Sequence, residues 1–432
     1  MNQRLEQYDL VLKGGHVIDP GQCINGIYDV AIRDGKIKEI SAKLPDHQAH
    51  ETISVENKIL CPGLIDLHTH VYEWVVSDSL CADDVGVNAG VTTVVDQGDC
   101  GSATFLGFKA YIVDKVQTDV RCFPCINMTG TVTPDSSRTA LYGPDMVDIE
   151  ALVSLATEYP HIIRGLKAHN ESGALSRWGT EVLQLARKAA DLTNLPLYIH
   201  IGELFDVNEA NRPKPEQVID KVIPFLKTGD LLTHCYSYRP DGLLGKRQNV
   251  PESLLEAVKN GVLLDLGHGV HFSFDIARRM LEQNLRPYTI SSDVHGNFMI
   301  PHSDNTLDYS LCGIMSKLFG LGFTLEEVIA GVTIHPARVL KSETEIGTLQ
   351  VGSRADITVI DLVEGNWLFH DSIGEQLVTK QKIVPILVVR AGRVIHPHGR
   401  LLRDLQPIKN LKQLAKTIDS VTDSKATKSP IK

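Results

Sequence analysis

Between residues 61 and 345 the chain repeats one unit, a short apolar run, a loop and an amphipathic stretch, and this repetition limits the fold more than any other feature. The apolar runs are Gly63–Leu67, Val91–Asp96, Val120–Asn127, Ile162–Lys167, Leu197–His200, Leu231–His234, Val262–Leu266 and Tyr288–Asp293. Between them, Asp148–Glu158, Thr180–Asp191, Pro251–Asn260 and Phe274–Gln283 place apolar residues at helical spacing. Continuously apolar strands alternating with helices predict a parallel sheet covered on both faces. Eight such units predict an α/β chain built on a (β/α)8 barrel of the TIM type. An open doubly wound sheet is the competing arrangement, but the Gly-rich phosphate loop it would carry after its first strand is missing.

The flanks read differently. Tyr8–Ile18 stops at Asp19-Pro20-Gly21, Asp29–Ile32 and Lys36–Ile40 flank the hairpin signal Asp34-Gly35, and a further β-like stretch runs from Thr52 to Leu60. After Arg338 the β pattern returns in Ala355–Asp361, Ile383–Val389 and Arg393–Ile395. Neither flank is large enough to stand alone. Residues 1–60 and 346–403 are therefore expected to form one small β-sandwich, with a barrel of residues 61–345 inserted between them. Residues 404–432, polar and rich in Lys, Ser and Thr, are expected to be a flexible tail.

With 432 residues, 43% of them hydrophobic and 22% charged, the chain can bury one large core and a small accessory one. A formal charge of -10 with no opposing basic stripe argues against a nucleic-acid partner. Met1–Glu6 is polar, and no apolar run approaches the about 18 residues that a membrane span requires. No membrane partner is expected, and the expected compartment is the cytoplasm. Eight scattered cysteines form no disulfide framework. Cys122 and Cys125 make a Cys-x-x-Cys, but it lies within a strand-like run and reads as core.

The chemistry is written at the strand ends, where a barrel of this type keeps its active site. Strand one ends in His68-Thr69-His70. Alternate residues of a strand share a face, so both imidazoles project to one side, about 7 Å apart along the backbone. Strand four ends in Lys167, strand five in His200, strand six in His234 and strand eight in Asp293. Any one histidine of the 17 is ordinarily a core or surface residue. Their joint placement on strand ends, with an aspartate on the eighth, is what points to metal.

That series on strands one, four, five, six and eight resembles the amidohydrolase superfamily in its two-metal form with a carboxylated lysine. Gly347-Thr348-Leu349 through Val351-Gly352 to Ala355-Asp356 is similar to the segment by which such enzymes re-enter their β-sandwich, and Thr333-Ile334-His335-Pro336-Ala337-Arg338 to the helix before it. The resemblance covers nearly the whole chain and leans to the amidohydrolase/deacetylase branch, relatives of dihydroorotase and hydantoinase. It implies that His68, His70 and Asp293 hold one divalent ion and that His200 and His234 hold a second. Lys167, carboxylated by carbon dioxide, would bridge them. Neutral nitrogens with carboxylate oxygens suit zinc first, with manganese or iron as alternatives. A net positive centre would lower the pKa of bound water, and Asp293 would be the catalytic residue that takes and returns the proton.

The activity so implied is metal-dependent hydrolysis of the amide or ester bond of a small N-acyl or O-acyl carboxylate. The alternatives are a cyclic-amide hydrolase of the hydantoinase or dihydroorotase kind, or a scaffold that has lost catalysis. Substrate contacts are sought in loops after strands: Tyr72, Gln97–Ser102, His169, Asn170, Glu171, Glu203, His271 and His295, with Tyr72, His169 and His295 foremost. Dihydroorotases carry an arginine where Tyr72 stands, which counts against that activity. Some D-aminoacylases use a cysteine ligand instead of the lysine; here Lys167 is present, and Cys100 reads as inert or as support. Self-association of relatives makes a homo-oligomer an expectation by resemblance.

Overall fold

The computed structural model describes residues 8–45, 49–132, 142–203, 210–295 and 309–398. The expected tail and the N-terminal segment Met1–Glu6 therefore lie outside the described residues.

The first part of the chain forms β1 (Tyr8–Asp19), β2 (Ile24–Arg33), β3 (Lys36–Ser41), β4 (Ala49–Ser54) and β5 (Ile59–Pro62). Seven parallel strands follow: β6 (Leu64–Thr69), β7 (Val91–Asp96), β8 (Asp119–Cys122), β9 (Leu166–His169), β10 (Leu197–His200), β11 (Leu231–Leu232) and β12 (Leu263–Leu264). The last part supplies β13 (Ile357–His370), β14 (Gln376–Arg390) and β15 (Arg393–Ile395).

Both chain ends meet in one eight-stranded sheet ordered β15-β14-β13-β5-β1-β2-β3, with β4 paired on β1. β5 is the seam. It runs parallel to β1 through His16 and Ile59, and antiparallel to β13 through Leu60 and Val359. Leu10, Leu12, Val30, Ile32, Leu60, Val359 and Val389 bury their side chains in its core. The sequence predicts one small β-sandwich from both chain ends; the hydrogen bonding found joins those ends in a single continuous sheet, because β5 pairs on both edges.

The parallel strands form two ladders, β6-β7-β8 and β9-β10-β11-β12. Isolated parallel bridges join them: Cys122 to Ile163 and Cys125 to Lys167 between the ladders, Asp265 to Thr289 beyond β12, and Thr69 to Val294 back to β6. The order returns on itself, a TIM-type α/β arrangement. The predicted eighth strand, Tyr288–Asp293, is held by these bridges and not by a ladder. β11 and β12 are shorter than predicted because His234 and Gly267, with φ of 60° and 45°, turn the backbone out of the strand. β8 stops at Cys122, just before Pro124, which has no N–H for a ladder.

Helices found at Ile149–Glu158, Glu181–Thr193, Glu252–Lys259 and Phe274–Glu282 coincide with the predicted stretches within a residue or two. Asp148 and Ser273 cap two of them by accepting from the amides of Ala151 and Ile276. Where the large and small parts meet, Arg354 contacts Asp119, Glu345 and Asp356, and Arg121 contacts Asp119 and Glu345. None of the eight cysteines is in a disulfide, and Cys100, Cys122 and Cys125 are buried core thiols. Among the described residues, no helix is long and apolar enough to cross a membrane.

Candidate metal centre

The strand ends bring the six predicted residues to one mouth of the ring. The rings of His68 and His70 lie 5.4 Å apart, and Asp293 Oδ1 stands 3.1 Å from Nε2 of the first and 3.2 Å from Nε2 of the second. The rings of His200 and His234 are 4.4 Å apart, with His234 Nε2 3.0 Å from His200 Nδ1. His68 lies 5.4 Å from His234, which joins the two groups. Lys167 Nζ is 3.5 Å from His68 Nε2, and its side chain is fully buried.

The remote nitrogens of these rings are occupied, and their partners fix each tautomer. His68 Nδ1 donates to the Tyr198 hydroxyl at 2.9 Å, because that hydroxyl spends its own proton on Asp265 Oδ2 at 2.6 Å. His70 Nδ1 donates to Asp99 Oδ1 at 2.7 Å. His200 Nε2 donates to the Gly202 carbonyl at 2.8 Å, and His234 Nδ1 to the Gly267 carbonyl at 2.6 Å. Held this way, each ring in its neutral form leaves a bare nitrogen turned toward the centre, four in all. Two of them face each other at 3.0 Å, and two face a carboxylate oxygen at 3.1 and 3.2 Å. Lone pair against lone pair is repulsive, and a shared cation removes the conflict. The donor set fits divalent metal.

Burial holds His68 below the ordinary imidazole pKa, and so does the positive charge of Lys167. Burial with the same lysine pushes His200 down to about 3. His234 is held down by burial and by His271. Burial also disfavours charge on His70, but the Asp99 and Asp293 carboxylates outweigh it and raise that ring. Burial lowers Lys167 to about 8, so a neutral amine is accessible near neutrality.

Two of the converging residues, His234 and Asp293, adopt φ of 60° and 49°, a left-handed backbone that costs a non-glycine residue about 1–2 kcal/mol. The Asp293 amide donates to the His68 carbonyl at 2.7 Å and pins that turn. Gly269 makes room for it: a Cβ there would lie 1.8 Å from Asp293 Oδ2.

The predicted substrate contacts divide. The His169 ring is 5.2 Å from that of His200, and the His295 ring 6.0 Å from that of His70, so both border the centre. Tyr72 does not join them. Its hydroxyl donates to the Thr104 carbonyl and its ring packs edge-on against Phe108, because Thr104 and the short helix Phe105–Phe108 that follows it offer an acceptor and an apolar face. His271, placed only among the loop residues by sequence, stacks on His234 at 4.0 Å, and a ligand nitrogen from each of His200, His234 and His271 falls within one small group. Asp99, Tyr198 and Asp265 were missed as supports. The signal for the last two is in the strands: Tyr198 shares a face with His200, and Asp265 is a charge inside an apolar run.

Residues 254–395 match the model of the amidohydrolase family. A deacetylase of Agrobacterium fabrum is 30% identical over 363 residues, spanning 84% of this chain and 85% of its own. A solved adenine deaminase superposes with TM-score 0.78 at 27% identity, covering 90% of this chain and 100% of its own. A solved dihydroorotase superposes with TM-score 0.75 at 28% identity, covering 90% and 99%.

Proposed function

This chain belongs to the amidohydrolase superfamily and is a hydrolase of carbon–nitrogen bonds, and from that premise we propose that it deacylates a small N-acyl or O-acyl carboxylate. The observation that carries the reading is the set of four bare imidazole nitrogens turned on one another and on Asp293, with Lys167 beside them. In this reading residues 61–345 form an eightfold β/α barrel set into a β-domain made by 1–60 and 346–403.

His68, His70 and Asp293 would hold one divalent ion, zinc first, and His200 and His234 the other, with His271 at hand as a further nitrogen. Lys167, as its carbamate, would bridge them. When bound, such ions supply an activated hydroxide and polarise the scissile carbonyl. The chain's own residues supply the rest. Asp293 takes a proton on its carboxylate and returns it to the leaving nitrogen or oxygen. Asp99 and the Tyr198–Asp265 pair keep His70 and His68 in the tautomer that leaves Nε2 bare. The mostly buried surroundings keep bulk water from the centre, which strengthens each of these contacts.

The test is metal analysis joined to a screen of acylated amino and hydroxy acids against hydantoins and dihydropyrimidines. Turnover of the acylated acids by protein with two bound ions is the expected result. Turnover of only the cyclic amides would replace this reading with the hydantoinase-like one. Lys167→Ala should lose nearly all activity and regain part of it with short carboxylic acids. Full turnover in that variant would remove Lys167 from the centre.

A further inference from the structure

Arg239, in the loop after β11, stands out by its electrostatics. Its guanidinium is half-buried, yet it makes no ion pair or hydrogen bond with any described residue, and its Nε is buried without a partner. The other half-buried or buried arginines of the described residues each engage a carboxylate or a carbonyl. A guanidinium carries five donors and stays charged, so leaving it unpaired inside a mouth is costly unless an anion arrives.

Its position is set by three loops. The Arg239 amide donates to Ser237 Oγ at 3.1 Å, and its guanidinium lies 4.9 Å from the centre of the Tyr238 ring. A Cβ on Gly202, whose φ is +102°, would lie 3.4 Å from Arg239 Cγ and 3.1 Å from His271 Nδ1, so the glycine leaves a lane where both side chains pass. Asp241 ties the loops together, accepting from Ser172 Oγ at 3.0 Å and from the Glu203 amide at 2.8 Å. The positive charge of Arg239 also bears on His200 and His271, which places it at the rim of the histidine group.

The loops that Asp241 joins, and His271 beside Gly202, carry buried polar atoms with no partner: both amide atoms of Asn170, both carboxylate oxygens of Glu171, and Nε2 of His271. Buried polar groups are nearly always satisfied, so a run of orphans on adjoining loops marks a place that a polar ligand completes.

The geometry points to Arg239 as the anchor of the substrate carboxylate, with Asn170 lining the same subsite; this rests on the deacylase reading above. The substrate so selected is an acylated amino or hydroxy acid whose free carboxylate lies on the guanidinium and whose acyl carbonyl reaches the histidine centre. A planar fork fits a carboxylate with two parallel hydrogen bonds, which a lysine ammonium cannot reproduce.

The experiment compares an acylated acid with its methyl ester on the metal-loaded wild type, Arg239→Ala and Arg239→Lys. The ratio of kcat/KM for acid over ester should fall about 10- to 100-fold in Arg239→Ala, mostly through KM, with part of it restored in Arg239→Lys. Equal losses on acid and ester, or no loss on the acid, overturn the assignment. Absence of any acyl-acid turnover in the wild type overturns the deacylase reading instead. Calorimetric binding of the same acids then still decides Arg239: weaker binding in Arg239→Ala supports the anchor, and unchanged binding rejects it.

Discussion

Replacing Tyr198 by phenylalanine removes one oxygen from the support of the centre, and the structure fixes what that oxygen does. It accepts from His68 Nδ1 at 2.9 Å and donates to Asp265 at 2.6 Å. Asp265 is fully buried and also collects hydroxyls from Thr233, Thr289 and Ser291 at 2.9, 2.6 and 2.7 Å. The variant keeps the ring and its edge-on contact with Phe123, so no cavity opens. What it loses is one of four donors to a buried carboxylate and the acceptor of a buried imidazole N–H. Orphaning one buried donor and weakening one charge-assisted bond should together cost about 2–4 kcal/mol. The Thr233 hydroxyl, 3.4 Å from His68 Nδ1, can recover part of this, which favours the lower end. Because His68 would no longer be held in one tautomer, metal affinity should fall about 10- to 100-fold. Urea unfolding of the metal-free protein reads the first quantity, and titration against a competing chelator reads the second. Lower stability with unchanged metal affinity would refute the orienting role and leave Tyr198 as packing; no change in either would refute the whole account.

Glu171→Gln should alter the pH dependence of stability. Burial, with Asp241 and Glu203 nearby, raises this carboxyl from 4.5 to about 8, so its stabilising share is complete below pH 4.5 and is lost as pH rises toward 8. The glutamine cannot ionise, so the variant should gain on the wild type through that window, reaching on the order of a few kcal/mol at its top, as unfolding midpoints at several pH values will show. A constant gap across pH would reject the burial cost. Arg354→Ala should destabilise the junction of the two sheets by about 3 kcal/mol, since Asp119 and Asp356 lose a partner held at 2.6 Å to each. Denaturant unfolding measures it, and a loss under about 0.5 kcal/mol would make the network ornamental.

The sequence made the convergence legible because the relevant residues close apolar runs. His68, His70, Lys167, His200, His234 and Asp293 could be read as a set without coordinates. Arg239 and His271 could not. Each lies several residues past its strand, in a loop whose path is set by contacts distant in sequence, such as Asp241 with Ser172 and Glu203. Tyr72 was sought as a loop residue after the first strand; two residues beyond His70 that strand has ended, so strand alternation does not tell where its side chain points, and its hydroxyl goes to the Thr104 carbonyl. The meeting of the chain ends was readable, but that β5 would be its seam was not, since four apolar residues carry no record of which edges they will fill.

The errors in strand length follow a pattern with a physical cause. A ladder requires extended backbone, whereas several side chains can converge on one point only if the chain bends sharply behind them. His234 and Asp293 make that bend in the left-handed region, and Gly267 and Gly269 make it beside them. The ladder must therefore stop short of those positions, so the predicted strands overrun where the residues gather. Local preference yields there because the turn is held from outside, by the His68 carbonyl on the Asp293 amide at 2.7 Å and by the Gly267 carbonyl on the His234 ring at 2.6 Å. A conflict between pattern and backbone at the end of a parallel strand is thus itself a marker of a site, and here it falls on two of the six residues named from the sequence.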